Sequence, residues 1–174
     1  MSIIVKEDGT FTIAGIEFIK FPSEGDATPV MVKRCPFRSL FGNNNDLRQS
    51  DVLKKMQANV LPKIIETIGE ENVLTFKTDL TTEDGLKPYG VIESKVSLPT
   101  LDFYRANIEI FDKHKVTEWF WLATPESAEP HSSPDWILCV APSGHICGDN
   151  CNGGSSGVRP FFHFKSSIFE SCGE

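Results

Sequence analysis

The feature that most constrains the fold is a long apolar stripe in the middle of the chain. Its members recur at every fourth position and would share one face of an α-helix: Val52, Met56, Val60, Ile64 and Ile68. We expect this helical segment to begin at Asp46 with Asn45 as its cap, and to stop at Gly69. Pro62 lies inside the stripe and lacks a backbone N–H, so the sequence predicts two helices or one kinked helix.

Strand patterns flank this segment on both sides. Short runs rich in apolar and β-branched residues occupy residues 3–5, 11–13, 16–21, 30–35, 73–78, 119–122, 136–140 and 158–164. Asp8 and Gly9 separate the first two runs and predict a hairpin turn there, because both residues tolerate positive φ.

A second, shorter helix is predicted to start near Thr100. Its apolar face would consist of Leu101, Tyr104, Ile108 and Phe111. The chain therefore runs from strands to helices and back to strands, an order typical of the α+β class. No linker is evident in the 174 residues, so a single domain over residues 1–174 is expected.

The net charge and the hydropathy of the chain argue against nucleic acid and membrane as partners. The net charge is -7, so a phosphate backbone would be repelled and nucleic-acid binding is not expected. No apolar run approaches the ~18 residues that a membrane span needs. The five cysteines are an odd number, and the N-terminal residues lack a leader-like apolar run. Reduced thiols and a cytoplasmic location are therefore predicted, and a virion component made in the cytoplasm would look the same.

A short segment near the C-terminus holds possible metal ligands and nucleophiles. His145, Cys147 and Cys151 are ligand types that zinc accepts, and a thiolate beside His145 or His131 could act as a nucleophile. The scattered cysteines do not form the closely spaced pairs of most structural zinc sites. The favoured interpretation is a turn beside a strand, with a zinc-stabilised domain and a Cys/His enzyme as alternatives.

The following residues offer oxygen ligands for calcium. Asp149, Asn150 and Asn152 could combine with Glu129 or Asp135, but calcium takes about six to eight oxygens and the loop alone cannot supply them. Asn, Asp and Gly also adopt turn conformations at low cost, which explains their presence without a metal. No cofactor is therefore predicted, and calcium and zinc remain alternatives.

Two polar loops are the predicted contact surface, at residues 124–135 and 148–157. Their candidate binding residues are Glu129, His131, Ser132, Ser133, Asp149, Asn150 and Asn152. Loops on a rigid scaffold commonly carry binding, so a protein or a glycan is the expected partner. Trp119, Trp121 and Trp136 are interpreted as structural residues, since the first two share one face of a strand.

Two motifs carry a resemblance that spans residues 15–164. Trp121-Leu122-Ala123-Thr124-Pro125 and Gly157-Val158-Arg159-Pro160 resemble the W-L-x-S/T-P and G-V-R-P elements of an uncharacterised bacterial and prophage family of unknown function. That family is similar to C-type-lectin-like domains, which include formylglycine-generating enzymes and receptor-binding proteins of phages. The resemblance implies one twisted antiparallel sheet, two main helical segments and neighbouring termini, with Arg159 tying the last strand to the fold by hydrogen bonds.

The chain also departs from that pattern. Ala123 replaces the family's arginine, the cysteine pair of the formylglycine-generating enzymes is not recognisable, and lectin calcium triplets are only echoed by Glu129-Pro130-His131. The resemblance therefore implies a non-enzymatic binding or structural module of phage or prophage origin.

Overall fold

Strands and helices alternate along the chain in the computed structural model, which describes residues 2–170. The strands are β1 (Thr10–Ile13), β2 (Ile16–Lys20), β3 (Ala27–Val32), β4 (Phe37–Ser39), β5 (Val73–Leu74), β6 (Phe76–Asp79), β7 (Val91–Ser94), β8 (Phe120–Pro125), β9 (Trp136–Val140), β10 (Ile146–Asn150), β11 (Ser156–Val158) and β12 (Phe161–Lys165). The α-helices are α1 (Asp51–Asn59), α2 (Leu61–Ile68), α3 (Leu101–Ala106) and α4 (Ile108–Lys113). This content confirms the predicted α+β class. Within the described range, no helix has the length and apolar character needed to cross a membrane.

The apolar stripe forms two helices, and the break lies where Pro62 predicts it. Pro62 occupies the first turn of α2, where a missing N–H costs nothing, and Gly69 ends that helix with a φ of 88°. The predicted start was wrong. Ser50 caps α1 by accepting a hydrogen bond from the Leu53 amide at 3.1 Å. Asp46 caps only a short 3-10 turn, Leu47–Gln49, before it.

The turn predicted at Asp8 and Gly9 is present, since the Gly9 amide donates to the Lys6 carbonyl at 2.9 Å and Gly9 has a φ of 84°. It does not join two paired strands, because residues 3–5 form no ladder with β1. The first hairpin joins β1 to β2 and turns at Ala14 and Gly15, whose φ values are 51° and 75°. Ile3 instead forms a parallel bridge with Phe169, and its amide donates to the Ile168 carbonyl at 2.7 Å. The beginning of the described chain thus lies beside its end, because Ile3 pairs with residues 168 and 169.

Within residues 2–170 the strands form three sheets rather than the single antiparallel sheet that the resemblance implied. The first sheet has the order β1-β2-β3-β12-β5, the second has the order β10-β9-β8-β11-β4, and β6 pairs with β7. All pairs are antiparallel except β8 and β11, which meet in parallel at Phe120 and Gly157. The apolar run at 158–164, predicted as one strand, is divided between β11 and β12. Arg159 and Pro160 therefore mark where the chain crosses from the second sheet to the first.

The second sheet is covered on both faces. Trp121 and Ala123 of β8 belong to the apolar cluster that includes the buried residues of α1 and α2. Phe120 and Leu122 belong to another cluster, which includes the buried residues of α3 and α4. Because successive strand residues point to opposite faces, the two helical segments pack against opposite sides of β8.

Two of the three tryptophans do not fit their predicted structural role. Trp121 is fully buried, and its indole N–H donates to the Ser39 carbonyl at 2.9 Å. Trp119 is 45% exposed because β8 begins only at the next residue, which leaves this ring beyond the covered part of the sheet. Trp136, the first residue of β9, is 42% exposed. Ile108, predicted on the apolar face of the second helix, is also exposed.

Arg159 is buried at the crossing between the sheets. Its Nε donates to the Val32 carbonyl at 3.1 Å, and its Nη2 donates to the Lys33 carbonyl at 2.7 Å. The guanidinium lies 4.9 Å from the centre of the Phe120 ring. Burial lowers the pKa of Arg159 to about 10, so the side chain keeps its charge at neutral pH. The hydrogen bonds predicted for Arg159 are thus present, and they tie this junction to the end of β3.

Candidate binding groove

An open groove of about 740 Å³ lies at one end of the second sheet, beside the loop that joins β8 to β9. It is lined by Glu83, Asp84, Glu126, Ser127, His131, Ser132, Trp136 and Gly148. These residues come from the segment between β6 and β7, from residues 126–136 and from β10. The predicted loop at 124–135 supplies Glu126, Ser127, His131 and Ser132, whereas the predicted loop at 148–157 supplies only Gly148, which lies in β10. The segment that carries Glu83 and Asp84 was not indicated by the sequence.

Asp84 holds one wall of the groove in place. Its carboxylate accepts hydrogen bonds from Ser127 Oγ at 2.6 Å, from Thr82 Oγ1 at 2.5 Å and from His131 Nδ1 at 2.9 Å. These hydrogen bonds, led by that from Ser127, hold the pKa of Asp84 well below its usual range. Because the carboxylate is charged, His131 donates from Nδ1, and its Nε2 is left for another partner.

A buried asparagine joins the loops behind this wall. Asn45 Nδ2 donates to the Ser127 carbonyl at 2.8 Å and to the Trp136 carbonyl at 2.9 Å. Its side-chain Oδ1 accepts a hydrogen bond from the Tyr89 hydroxyl at 2.6 Å, and its backbone N–H donates to the Pro134 carbonyl at 2.8 Å. Asn45 is therefore not the predicted helix cap. Its side chain fixes the segments that carry the groove relative to one another.

Two glutamates add carboxylates to the groove. The Glu83 amide donates to the Pro125 carbonyl at 2.9 Å, which brings the segment after β6 against the end of β8. The Glu126 carboxylate lies beside β10, where a Cβ added at Gly148 would be 2.7 Å from Glu126 Oε2. The Glu126 side chain would have to move to admit a larger residue there. With Asp84, three carboxylates line the groove, and no lysine or arginine of residues 2–170 does.

Trp136 supplies the aromatic surface of the groove. Its backbone pairs with Asn150 of β10 and accepts from the Glu126 amide at 3.1 Å, so its position is fixed by the sheet. Its ring is 42% exposed. A ring held by ordered backbone and open to solvent can contact a ligand without an added cost for ordering the chain.

The arrangement supports both binding and proton transfer. Carboxylates accept hydrogen bonds only, and serine and histidine can donate or accept, so a ligand rich in hydroxyl or amine donors finds partners. A histidine oriented by a carboxylate through Nδ1 can also accept a proton at Nε2. Among residues 2–170, the hydrogen-bonded partner of the His131 ring is Asp84, and no hydroxyl or thiol occupies the other ring nitrogen.

The predicted binding residues fall into two groups. His131 and Ser132 line the groove, whereas Glu129 and Ser133 are exposed in the same loop without lining it. Asp149 and Asn150 lie in β10, and exposed Asn152 follows that strand. The Asn150 amide donates to Asp149 Oδ1 at 2.8 Å, and the Asn152 amide donates to Asn150 Oδ1 at 3.0 Å. The side chains of Asp149 and Asn150 therefore hold the turn after β10.

The possible metal ligands are not gathered into one site. Within residues 2–170, no group of three or more His, Cys, Asp or Glu side chains is placed to hold a metal ion. His145 is exposed, Cys151 is buried in the first apolar cluster, and Cys147 contacts Cys139. Burial raises the pKa of Cys151, which favours its thiol form. The fifth cysteine, Cys172, lies outside the described residues.

Sequence reasoning missed Glu83, Asp84 and Glu126 as groove residues, and it missed Asn45 as the residue that joins the segments behind them. Glu83 and Asp84 lie in a polar stretch that follows a strand, and nothing in its spacing distinguishes it from an ordinary loop. The Asn-rich turn at 43–45 favours a helix cap by local rules. Their role depends on contacts across more than 40 positions, such as the hydrogen bond between Tyr89 and Asn45.

Comparisons with known proteins add no relative. No protein-family model matches the chain, and neither a curated protein nor a solved structure matches it. The family resemblance therefore rests on the two motifs alone, and the function rests on the geometry of the groove.

Proposed function

We propose that the chain is a non-enzymatic binding module and that its groove takes a glycan. The observation that carries this proposal is the exposed Trp136 ring in the same groove as the hydrogen-bonded carboxylate of Asp84 and the carboxylate of Glu126. A sugar has an apolar face that can stack on an indole and hydroxyl groups that donate to carboxylates. Ligand sites commonly combine an apolar surface with a few convergent polar groups in this way.

The negative charge of the groove disfavours glycans that carry acidic groups. Among the described residues, three carboxylates line the groove and no lysine or arginine does, and the whole chain carries a net charge of -7. Sulfated or carboxylated sugars would meet repulsion at close range. We therefore propose neutral or amine-bearing sugars as the preferred ligands.

We further propose that the fold is C-type-lectin-like and that the chain is of phage or prophage origin, in the cytoplasm or in a virion. Three features support the fold: two helical segments separate the first strands from the last, Ile3 lies beside Phe169, and Arg159 of the G-V-R-P element joins the two sheets. The proposed origin rests on the two sequence motifs. Fold similarity alone does not identify a ligand, so the groove carries the functional argument.

A glycan array followed by titration of the best ligand tests the proposal. Trp136→Ala should weaken binding by about 5- to 150-fold, because stacking on an aromatic side chain contributes about 1–3 kcal/mol where it has been measured for nucleobases. Trp119→Ala is the matched control, since Trp119 is similarly exposed but lies outside the groove. Equal losses for both variants, or no binding to any neutral or amine-bearing sugar, would contradict the proposal.

The Asp84–His131 pair favours one second candidate, an enzyme in which His131 Nε2 removes a proton from a bound hydroxyl or from water. The same experiment separates the two functions. Incubating the best glycan with the protein and analysing it by mass spectrometry should recover it unchanged if the chain only binds. Conversion that is lost in His131→Gln would establish the enzyme instead. A protein partner remains the other class of ligand, and capture that depends on Trp136 without any glycan signal would favour it.

A further inference from the structure

Cys139 and Cys147 face each other across neighbouring strands. They are register partners in the antiparallel pair of β9 and β10. Their sulfur atoms lie 3.2 Å apart, and Cys139 Sγ also lies 3.4 Å from the Cys147 carbonyl oxygen. Both are free thiols. No role in the groove uses either side chain, so the pair needs a separate explanation.

The backbone around this pair suits a covalent link. Register partners in an antiparallel ladder have Cα atoms about 4.5 or 5.5 Å apart, and disulfides span about 4.4–6.8 Å between Cα atoms. The two sulfur atoms need to approach by little more than about 1 Å to reach bonding distance. Side-chain rotation alone can bring the sulfur atoms together, so the backbone hydrogen bonds between β9 and β10 stay intact.

We propose that Cys139 and Cys147 form a reversible cross-strand disulfide, with a small-molecule disulfide such as oxidised glutathione as the oxidant. The proposal names a modification site on the second sheet, and it holds whether or not the groove binds a glycan.

The order of the two steps follows from access to solvent. Cys147 is half-buried on β10, which is an edge strand, whereas Cys139 is fully buried. Burial and the hydrogen bond with Cys147 raise the pKa of Cys139, so it stays protonated while Cys147 reacts first.

The chemistry is thiol–disulfide exchange. The Cys147 thiolate attacks one sulfur of oxidised glutathione, forms a mixed disulfide and releases one glutathione thiolate. Cys139 then loses its proton to solvent and attacks the Cys147 sulfur, which breaks the mixed disulfide and releases the second glutathione thiolate. Two protein thiols are oxidised, one glutathione disulfide is reduced to two glutathiones, and excess reduced glutathione reverses both steps.

Formation of the disulfide would restrain β10, the edge strand of the second sheet. β10 is hydrogen-bonded to β9 on one side only, so its amides exchange when the two strands separate. A covalent link in the middle of the pair prevents that separation. We therefore expect hydrogen exchange at residues 146–150 to slow by on the order of tenfold in the oxidised protein.

The test treats the folded, reduced chain with oxidised glutathione and maps the product by mass spectrometry without reduction. The expected product has lost two hydrogen atoms, joins the peptides of Cys139 and Cys147, and returns to the starting mass with reduced glutathione. Cys147→Ser should block the link, and it replaces the more accessible thiol, so it is the variant least expected to disturb folding. Cys139→Ser should instead stop the reaction at a glutathione adduct on Cys147.

Cys151→Ser and Cys35→Ser are the controls, and both should leave the link unchanged. Circular dichroism of each variant verifies that it is folded before oxidation. A stable glutathione adduct on Cys147 in the unsubstituted chain, a link that uses another cysteine, or unchanged exchange at residues 146–150 after closure would each overturn the proposal.

Discussion

Arg159 and Asp84 are both charged side chains held by several hydrogen bonds, yet their surroundings differ. Arg159 is 1% exposed, and its partners are the backbone carbonyls of Val32 and Lys33. The Asp84 side chain is 37% exposed, and its partners are the side chains of Thr82, Ser127 and His131. One charge therefore joins strands inside the molecule, and the other organises loops at its surface.

The difference shows how the same type of interaction serves two purposes. A buried charge that loses its partners carries a large desolvation penalty, so Arg159 is tied to the stability of the whole fold. Asp84 remains hydrated, so its network costs little to disturb but determines where His131 and Ser127 point. We expect substitutions at the junction to change global stability and substitutions at the groove to change local order.

The largest effect should come from Arg159→Ala. The substitution removes a large buried side chain and leaves the Val32 and Lys33 carbonyls without their donor, so the free energy of unfolding should fall by about 3–5 kcal/mol. Urea unfolding followed by circular dichroism measures the change. Arg38→Ala is the matched control, because exposed Arg38 also donates to a backbone carbonyl, that of Ser155, at 2.8 Å. A similar loss of unfolding free energy in both variants would show that the buried and the exposed arginine contribute equally to stability.

A smaller loss is expected for Gly157→Ala, two residues before Arg159. The new methyl group would lie 2.9 Å from the Trp119 carbonyl oxygen and would overlap Cys35 Sγ. Relieving this overlap should cost about 1–3 kcal/mol of the free energy of unfolding, measured in urea. Gly154→Ala, where the methyl group meets nothing within 4 Å, is the control and should change little. Equal stability of the two variants would show that the strand junction adapts more easily than its contacts indicate.

The smallest global effect should come from Asp84→Asn at the groove. The amide accepts the Ser127, Thr82 and His131 hydrogen bonds less well than the carboxylate does, so backbone amides at residues 127–132 should exchange faster with deuterium. Amides of β8 and β9 should exchange at their former rates. Asp26→Asn, at an exposed aspartate away from the groove, should leave both regions unchanged. Faster exchange throughout the chain would mean that Asp84 supports the fold as a whole.

Local sequence rules predicted the local features well. Pro62 divides the helical stripe because a missing N–H is tolerated only in a first turn, and the rule needs no knowledge of the rest of the chain. The α+β class follows from the order of patterns. The hydrogen bonds of Arg159 were expected from a motif and are present.

Features that depend on distant partners were predicted poorly. Asn45 satisfies the local rule for a helix cap, but its side chain reaches Ser127 and Trp136, which lie far along the chain. Trp119 shares the strand periodicity of Trp121, but periodicity does not show where the covered part of a sheet ends. The groove was predicted in part, since the loop at 124–135 was identified and the segment carrying Asp84 was not.

The position of β11 and β12 has a consequence for how the chain is made. These two late strands lie inside their sheets, β11 between β8 and β4 and β12 between β3 and β5. During synthesis from the N-terminus, both sheets lack an inner strand until residues 156–165 leave the ribosome. The sheets then close together through contacts of large sequence separation, which is the kind of topology that folds slowly. A nascent chain stopped before residue 156 should remain sensitive to protease, and release of the next ten residues should protect it.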